Sequence, residues 1–195
     1  DALPIYIKPN VFAKLLNNAE SNDLEILHFN TQRITNEGIT SDYLFFPENT
    51  SVISGIDYLN NNQLPYWQKL VTAWSKIFKR EFLLENNLFY PKIYFWEDNT
   101  HTLSSLLVCK RFQYITDKIY YYRDNPTSDM NTNYHGGIKT ADKVRVHIEC
   151  INILYNTKQL KIEDKQQLID FYKSFLVNWK KPILYLTTTE INKIG

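Results

Sequence analysis

Two adjacent carboxylates, Glu97 and Asp98, are the side chains in this sequence best suited to acid–base chemistry. They follow an apolar run at 93–96 that is typical of a strand, and an amphipathic helix follows them. A carboxylate held at a strand end can take a proton from a hydroxyl group, and ligands gather at such ends in α/β folds. Asp98 is also placed to cap the helix, and the residues alone favour the cap.

Tyrosine and arginine form a second candidate group near the middle of the chain. The run 118–123 is predicted as a strand with Tyr120 and Tyr122 on the same face. One face of this strand is expected to join the core, and the other can stack on a sugar ring. Arg123 precedes a Pro-containing loop with Ser128, where it can bind a phosphate or a sugar hydroxyl. A surface ion pair with a neighbouring aspartate is the alternative.

A tryptophan, a lysine and a histidine lie close enough in sequence to join the acidic pair. The run 71–78 is predicted as a strand, so Trp74 and Lys76, two residues apart, are expected to share a face. The residues favour Trp74 as a core side chain over a sugar-stacking platform. His101 lies about one helical turn after Asp98 and can approach the same site.

The remaining pattern predicts an α/β body followed by helices. Helices are predicted at 9–21, 54–59 and 80–86, and further strands at 24–33 and 112–115. The first helix is expected to bury Phe12, Leu15, Leu16 and Ala19. Two later helices carry apolar stripes of Val144, Ile148, Ile151 and Tyr155, and of Leu168, Tyr172, Phe175 and Trp179. We therefore expect an α/β body over 1–139 and an all-helical tail over 140–195 that packs on it.

Composition limits the function classes. The 195 residues are 44% hydrophobic with a net charge of +1, which gives no general field for attracting nucleic acid. Cys109 and Cys150 lie in apolar stretches and are expected to be reduced and buried, as in a cytoplasmic protein. Lys180 and Lys181 either make a peripheral contact with the inner membrane surface or end a solvated helix.

Three segments in a fixed order carry a family resemblance. Residues 74–98 read W-S-K-I-F-K-R-E-F-L-L-E-N-N-L-F-Y-P-K-I-Y-F-W-E-D, and residues 120–130 read Y-Y-Y-R-D-N-P-T-S-D-M. Residues 6–30 read Y-I-K-P-N-V-F-A-K-L-L-N-N-A-E-S-N-D-L-E-I-L-H-F-N. Together they resemble the bacterial family 2 glycosyltransferases of the GT-A fold, which build capsule, lipopolysaccharide O-antigen or exopolysaccharide.

The resemblance implies an inverting, hexosyltransferase-like enzyme that uses Mg²⁺ or Mn²⁺. Such an enzyme transfers a sugar from a nucleotide-sugar donor to a glycan or lipid-linked acceptor. It implies that Asp98 is the base and Glu97 its neighbour in the acceptor site. Residues 1–139 would then be the acceptor-side part of the domain. A late histidine completes the metal shell in some GT-A enzymes, and His135 is the candidate here. The alternative is a non-catalytic carbohydrate- or protein-binding module, which would have no need of a base.

One part of the family pattern does not occur in this sequence. Family members open with an S-V-I-I-P-x-Y-N strand and a nucleotide-binding half that reaches an Asp-x-Asp motif, and the chain contains no Asp-x-Asp. We therefore expect a mixed GT-A sheet truncated at its N-terminal side. Without the N-terminal half of the same polypeptide, the chain is expected to be inactive. Asp1 is either the last carboxylate of that motif or unrelated to it.

Overall fold

Short apolar runs and longer amphipathic runs follow one another along this chain, and the described residues form one mixed sheet with helices on both faces. The computed structural model describes residues 5–7, 10–35, 37–38, 40–44, 48–60, 71–123 and 136–178. Its strands are β1 (Ile5–Ile7), β2 (Ile26–Ile34), β3 (Thr40–Leu44), β4 (Lys76–Phe78) and β5 (Phe112–Arg123). Its helices are α1 (Val11–Ser21), α2 (Gly55–Leu59), α3 (Arg80–Glu85), α4 (Glu97–Val108), α5 (Gly136–Asn156) and α6 (Ile162–Asn178). A single 3₁₀ turn occupies Ala73–Ser75.

The parallel pair β2 and β5 forms the centre of the sheet. β1 runs antiparallel to β5 on its outer edge. β3 and β4 both run antiparallel to β2 on the opposite edge, with β4 paired to residues 26–28 and β3 to residues 31–34. Because helices cover both faces of a central strand, β2 is buried without alternation from Ile26 to Thr31.

Two apolar clusters lie on the two faces of the sheet. Leu27, Phe29 and Ile115 pack with Leu15 of α1 on one face. Ile26, Phe112 and Tyr114 belong to a larger cluster on the other face. That larger cluster includes side chains from the last three helices: Leu103 and Leu106 of α4, Val146, Cys150 and Leu154 of α5, and Leu168, Ile169 and Tyr172 of α6. The two C-terminal helices therefore share a core with the sheet.

Several local predictions are confirmed. The helices predicted at 9–21, 54–59 and 80–86 and the strand at 24–33 occur as α1, α2, α3 and β2, with shifted ends. Both cysteines are free and buried. Within the described ranges, no helix is long and apolar enough to span a bilayer.

The predicted buried stripes of α1 and α5 are partly wrong. Phe12 is 62% exposed and Leu16 is 53% exposed, because α1 meets the sheet through the single row of Leu15 and its neighbours one turn away, Val11 and Ala19. Ile148 and Tyr155 of α5 are also exposed. In that helix the row of Val146, Cys150 and Leu154 is buried instead, because it packs between α4 and α6. Trp179 lies outside the described residues.

The predicted strands at 112–115 and 118–123 are one strand, β5. Its register against β2 shifts on both sides of Asn30, so that Thr116, Asp117 and Ile119 of β5 have no residue directly opposite in β2. The Asn30 amide donates to the Thr116 carbonyl at 3.1 Å and spans this irregularity. A β-bulge of this kind bends a strand without ending it.

Helices α2 and α4 touch through their backbones at Gly55. A Cβ at this position would lie 2.1 Å from the Leu106 carbonyl oxygen. We expect Gly55→Ala to lower the free energy of unfolding by about 3 kcal/mol, because α2 would have to move off α4. Urea unfolding measures this loss.

Gly38→Ala is the matched control. Gly38 has φ +80° and open space around its Cα, so the same substitution there costs only backbone strain, about 1 kcal/mol. Equal losses for the two variants would show that the contact between α2 and α4 is not tightly packed.

Candidate active site

The acidic pair opens a helix rather than closing a strand. Residues 93–96 have no regular secondary structure, and Glu97 and Asp98 are the first two residues of α4. The helix is capped by Trp96, whose φ of 70° is left-handed, and not by Asp98. The predicted strand and the predicted cap are therefore both wrong. A helix N-terminus is a favourable place for carboxylates, because the unpaired N–H groups and the helix dipole face them.

Local hydrogen bonds hold Glu97 and Asp98 in the first turn of α4. The Asn99 backbone N–H and side-chain amide both donate to the Trp96 carbonyl, at 3.0 and 3.2 Å. The same amide lies 3.1 Å from Asp98 Oδ1. Thr100 Oγ1 donates to the Glu97 carbonyl at 3.1 Å. The Asp98 carboxylate is thus held by the Asn99 amide, and the Glu97 backbone carbonyl by the Thr100 hydroxyl.

Asp98 and Lys76 form the charged centre of the site. Burial raises the pKa of Asp98 to about 6, with a further increase from the charge of Glu97, while Lys76 and the Asn99 amide act in the opposite direction. Lys76 is only 7% exposed. Burial lowers the pKa of Lys76 to about 7, and the charge of Asp98 partly opposes this shift. Both groups therefore change protonation near neutral pH, as acid–base groups in active sites commonly do.

His101 and Tyr90 cover one side of this centre. Their rings stack with centroids 4.0 Å apart, and Phe78 of β4 meets the His101 ring edge-on at 5.3 Å. Burial and the charge of Lys76 lower the pKa of His101. Tyr90 is 45% exposed. Burial and the charges of Asp98 and Glu97 raise the pKa of Tyr90.

Trp74 packs in the apolar cluster on the α1 face of the sheet, whereas Lys76 interacts with Asp98 of α4. The predicted shared face of Trp74 and Lys76 is therefore wrong. Residues 73–75 form the 3₁₀ turn, closed by a hydrogen bond from the Ser75 hydroxyl to the Thr72 carbonyl at 3.0 Å. Trp74 stacks on Tyr120 and Tyr122 at centroid distances of 4.6 and 5.4 Å, within the cluster on the α1 face.

The remaining predicted site residues are less well placed. Arg123 is half-buried at the end of β5, opposite Ile34. Ser128 and His135 lie outside the described residues. Within the ranges that the structure describes, no three His, Cys, Asp or Glu side chains group closely enough to hold a metal ion.

Two site residues were missed by sequence analysis. Tyr90 lies in the F-Y-P stretch of the segment 74–98, between two predicted elements, and nothing in its spacing connects it to Asp98. Asn99 directly follows the acidic pair, and its adjacency was the one available signal.

Comparison with known proteins establishes the fold. No family model matches the chain, and no curated protein matches its sequence. Among solved structures, Staphylococcus aureus TarS 1–349 in complex with UDP matches with a TM-score of 0.63 at 16% identity, over 97% of this chain and 50% of that chain. The same protein in complex with UDP-GlcNAc matches with a TM-score of 0.66 at 17% identity, over 95% of this chain and 51% of that chain.

The chain has a GT-A glycosyltransferase fold. The mixed α/β GT-A architecture predicted from the sequence motifs is thereby confirmed. The chain spans about half the length of the TarS 1–349 structures. In this GT-A frame, the described site consists of Lys76 on β4, the first turn of α4 and the stacked ring of Tyr90.

The titration of Asp98 tests this electrostatic arrangement. Glu97→Gln should lower the pKa of Asp98 from about 6, because the charge of Glu97 raises it. Lys76→Met should raise the pKa, because the charge of Lys76 lowers it. NMR of ¹³C-carboxyl-labelled aspartate measures both shifts. Glu163→Gln, an exposed carboxylate in the first turn of α6, is the control and should leave the titration unchanged. Shifts of the same sign for Glu97→Gln and Lys76→Met would contradict the arrangement.

Proposed function

We propose that this chain is part of a glycosyltransferase of the family 2 type. It would transfer a sugar, with inversion, from a nucleotide-sugar donor to a glycan or lipid-linked acceptor in cell-surface polysaccharide synthesis. The observation that carries the proposal is the position of Asp98. This carboxylate is largely buried, lies in the first turn of a helix of a GT-A fold, and interacts with the charge of a buried lysine.

Asp98 is the proposed general base. The acceptor oxygen forms a bond to the anomeric carbon of the donor sugar while the bond from that carbon to the nucleoside diphosphate breaks. Asp98 takes the proton of the acceptor hydroxyl, and the diphosphate departs with the bonding electrons. With a pKa of about 6, Asp98 is ionised at pH 7 and yet basic enough to accept this proton. Transfer should therefore slow as the pH falls through 6.

The other site residues have supporting roles in this proposal. Glu97 helps to keep the pKa of Asp98 high. The Tyr90 ring stacks on the buried His101 ring and is itself 45% exposed, so an acceptor sugar ring can stack on Tyr90 beside the carboxylates. Lys76 balances negative charge within the buried site. Arg123, Ser128 and Tyr122 remain candidates for substrate binding, and His135 remains a candidate metal ligand.

The donor is proposed by analogy. TarS 1–349 has been solved with UDP and with UDP-GlcNAc, which makes a uridine diphosphate sugar the first donor to test. Mg²⁺ or Mn²⁺ would offset the charge of the departing diphosphate, as the family resemblance implies.

A carbohydrate-binding module without catalysis is the second candidate. The stacked aromatic group of Trp74, Tyr43 and Tyr122 favours it, since Tyr43 is 37% exposed and stacks on Tyr122 at 5.1 Å. Such a surface can hold a sugar ring without a base. The two candidates differ in their need for Asp98.

Donor binding is expected to require more than this chain. The sequence contains no Asp-x-Asp motif, and the described residues contain no group of three metal ligands. Calorimetry of the 195-residue chain with UDP and Mn²⁺ should detect no binding, whereas the complete gene product should bind. Micromolar affinity for the 195-residue chain would place the nucleotide site among these residues and contradict the expectation.

Replacing the base should abolish transfer and increase stability. Asp98→Asn in the complete gene product should reduce single-turnover transfer by about 10²–10⁴-fold, because an amide cannot accept the proton. The folded pKa of Asp98 exceeds its ordinary value of 3.8, so its stabilising contribution is present below pH 4 and is lost as the pH rises through 6. At pH 7 the variant should therefore be more stable by about 1–3 kcal/mol, measured by urea unfolding.

Asp164→Asn is the matched control for the loss of transfer. Asp164 is a buried aspartate in the first turn of α6, preceded by Glu163 as Asp98 is preceded by Glu97. It should leave transfer unchanged. An Asp98→Asn variant that transfers at the parental rate would show that Asp98 is not the base. A parental gene product that transfers no sugar would support the binding-module candidate.

A further inference from the structure

One face of α5 contacts three consecutive residues that lead into the acidic pair. The Asp142 carboxylate accepts a hydrogen bond from the Tyr94 backbone N–H at 3.0 Å. The Lys139 ammonium lies over the Phe95 ring at 5.2 Å. The Lys143 ammonium lies over the Trp96 ring at 4.6 Å. Lys139, Asp142 and Lys143 are three and four residues apart, so they share one face of the helix.

The segment 94–96 depends on these contacts for its conformation. It has no regular secondary structure, and Trp96 has a left-handed φ of 70°, which is strained for a bulky side chain. Such strain persists where the surroundings fix the residue. Asp142 is 5% exposed, so its hydrogen bond to Tyr94 is protected from water. Lys143 also lies over Phe175 of α6, at 4.9 Å, so its ammonium sits between two rings.

A short chain of contacts joins Trp96 to Asp98. The Trp96 carbonyl accepts both hydrogen bonds from Asn99, and the Asn99 amide also contacts Asp98 Oδ1 at 3.1 Å. A displacement of the Trp96 backbone would therefore move the partner of the Asp98 carboxylate. Lys143 and Asp98 are connected in this way through Trp96 and Asn99.

We propose that Lys139, Asp142 and Lys143 form a positioning surface that holds residues 94–96 and thereby fixes Asp98 for proton transfer from the acceptor. The proposal rests on the function proposed above. It makes Asp142 and Lys143 positioning residues, since neither contacts the reacting groups. The C-terminal helices then contribute to catalysis as well as to the core.

The titration of Asp98 reports its position independently of activity. The titratable groups that interact with Asp98 come from four elements: Glu97 of α4, Lys76 of β4, Tyr90 of the preceding segment and Cys150 of α5. The pKa of Asp98 is set by burial, Glu97, Lys76 and hydrogen bonds from Asn99 and the backbone. Lys143 does not contribute to it directly. A change on removing Lys143 therefore reports movement of Asp98 into water.

The first experiment compares lysine variants of the full chain. Lys143→Met should move the Asp98 titration from about 6 towards 3.8, measured by ¹³C-carboxyl NMR. In the complete gene product it should lower kcat by about 10–100-fold with little change in KM for the donor. Lys143→Arg keeps a cation over the Trp96 ring and should restore both values.

Lys173→Met is the matched control. Lys173 of α6 lies over the Tyr155 ring of α5 at 5.8 Å. This cation–π contact joins α5 and α6, as the contact of Lys143 with Phe175 does, but it does not touch residues 94–96. It should change neither the titration nor kcat. Equal effects of Lys143→Met and Lys173→Met, or an unchanged Asp98 titration in Lys143→Met, would overturn the proposal.

Asp142 provides a second, independent pair of variants. Asp142→Asn keeps an oxygen that can accept from the Tyr94 N–H, whereas Asp142→Ala leaves that N–H unpaired. Only Asp142→Ala should shift the Asp98 titration, and an unshifted titration in Asp142→Ala would count against the proposal. If the titration shifts as expected but the complete gene product transfers no sugar, the positioning surface stands and the proposed function fails.

Discussion

The parallel pairing of β2 with β5 determines where the other described elements can lie. Parallel neighbours cannot be joined by a tight turn, so the chain must cross over a face of the sheet between them. Here the crossover contains β3, α2, β4, α3 and α4. β3 occupies one half of the free edge of β2, which leaves β4 the other half. Lys76, at the start of β4, therefore lies opposite His28 in the sheet. Phe78, at the end of β4, meets the His101 ring of α4 edge-on.

The buried charged groups of Lys76 and Asp98 lower the stability of the fold. Lys76 and Asp98 both lose water on folding, and burial disfavours the charged form of each. The attraction between the two charges opposes both pKa shifts but is smaller than the effect of burial on each group. His28 is fully buried on the same face of the sheet, and burial followed by the charge of Lys76 holds its pKa well below the usual range. A protein selected for stability alone would fill this region with apolar side chains.

Short-range sequence signals were sufficient to predict α2. Ser54 predicted the start of α2, and its hydroxyl does accept the Asp57 N–H at 2.9 Å. The GT-A fold was predicted from the order of the sequence motifs.

The segment 93–96 was predicted as a strand because its apolar composition suits one, yet the Tyr94 backbone N–H donates to Asp142, 48 residues away. Periodicity allowed more than one buried face for α5, and packing against α6 selected the one with Val146. The acidic pair was found by motif, while its helical setting and the role of Asn99 depended on the three-dimensional structure.

The contact between α5 and residues 94–96 also bears on how related chains of this fold can be recombined. Phe95 and Trp96 each meet a lysine from one helical turn, and Tyr94 meets the aspartate of the same turn. A chimera that exchanges the C-terminal helices at a boundary near residue 136 would separate these partners, even though the break falls outside the sheet. A chimera should therefore take the residues before the acidic pair and the first turns of α5 from the same parent, although the two segments are more than forty positions apart in sequence.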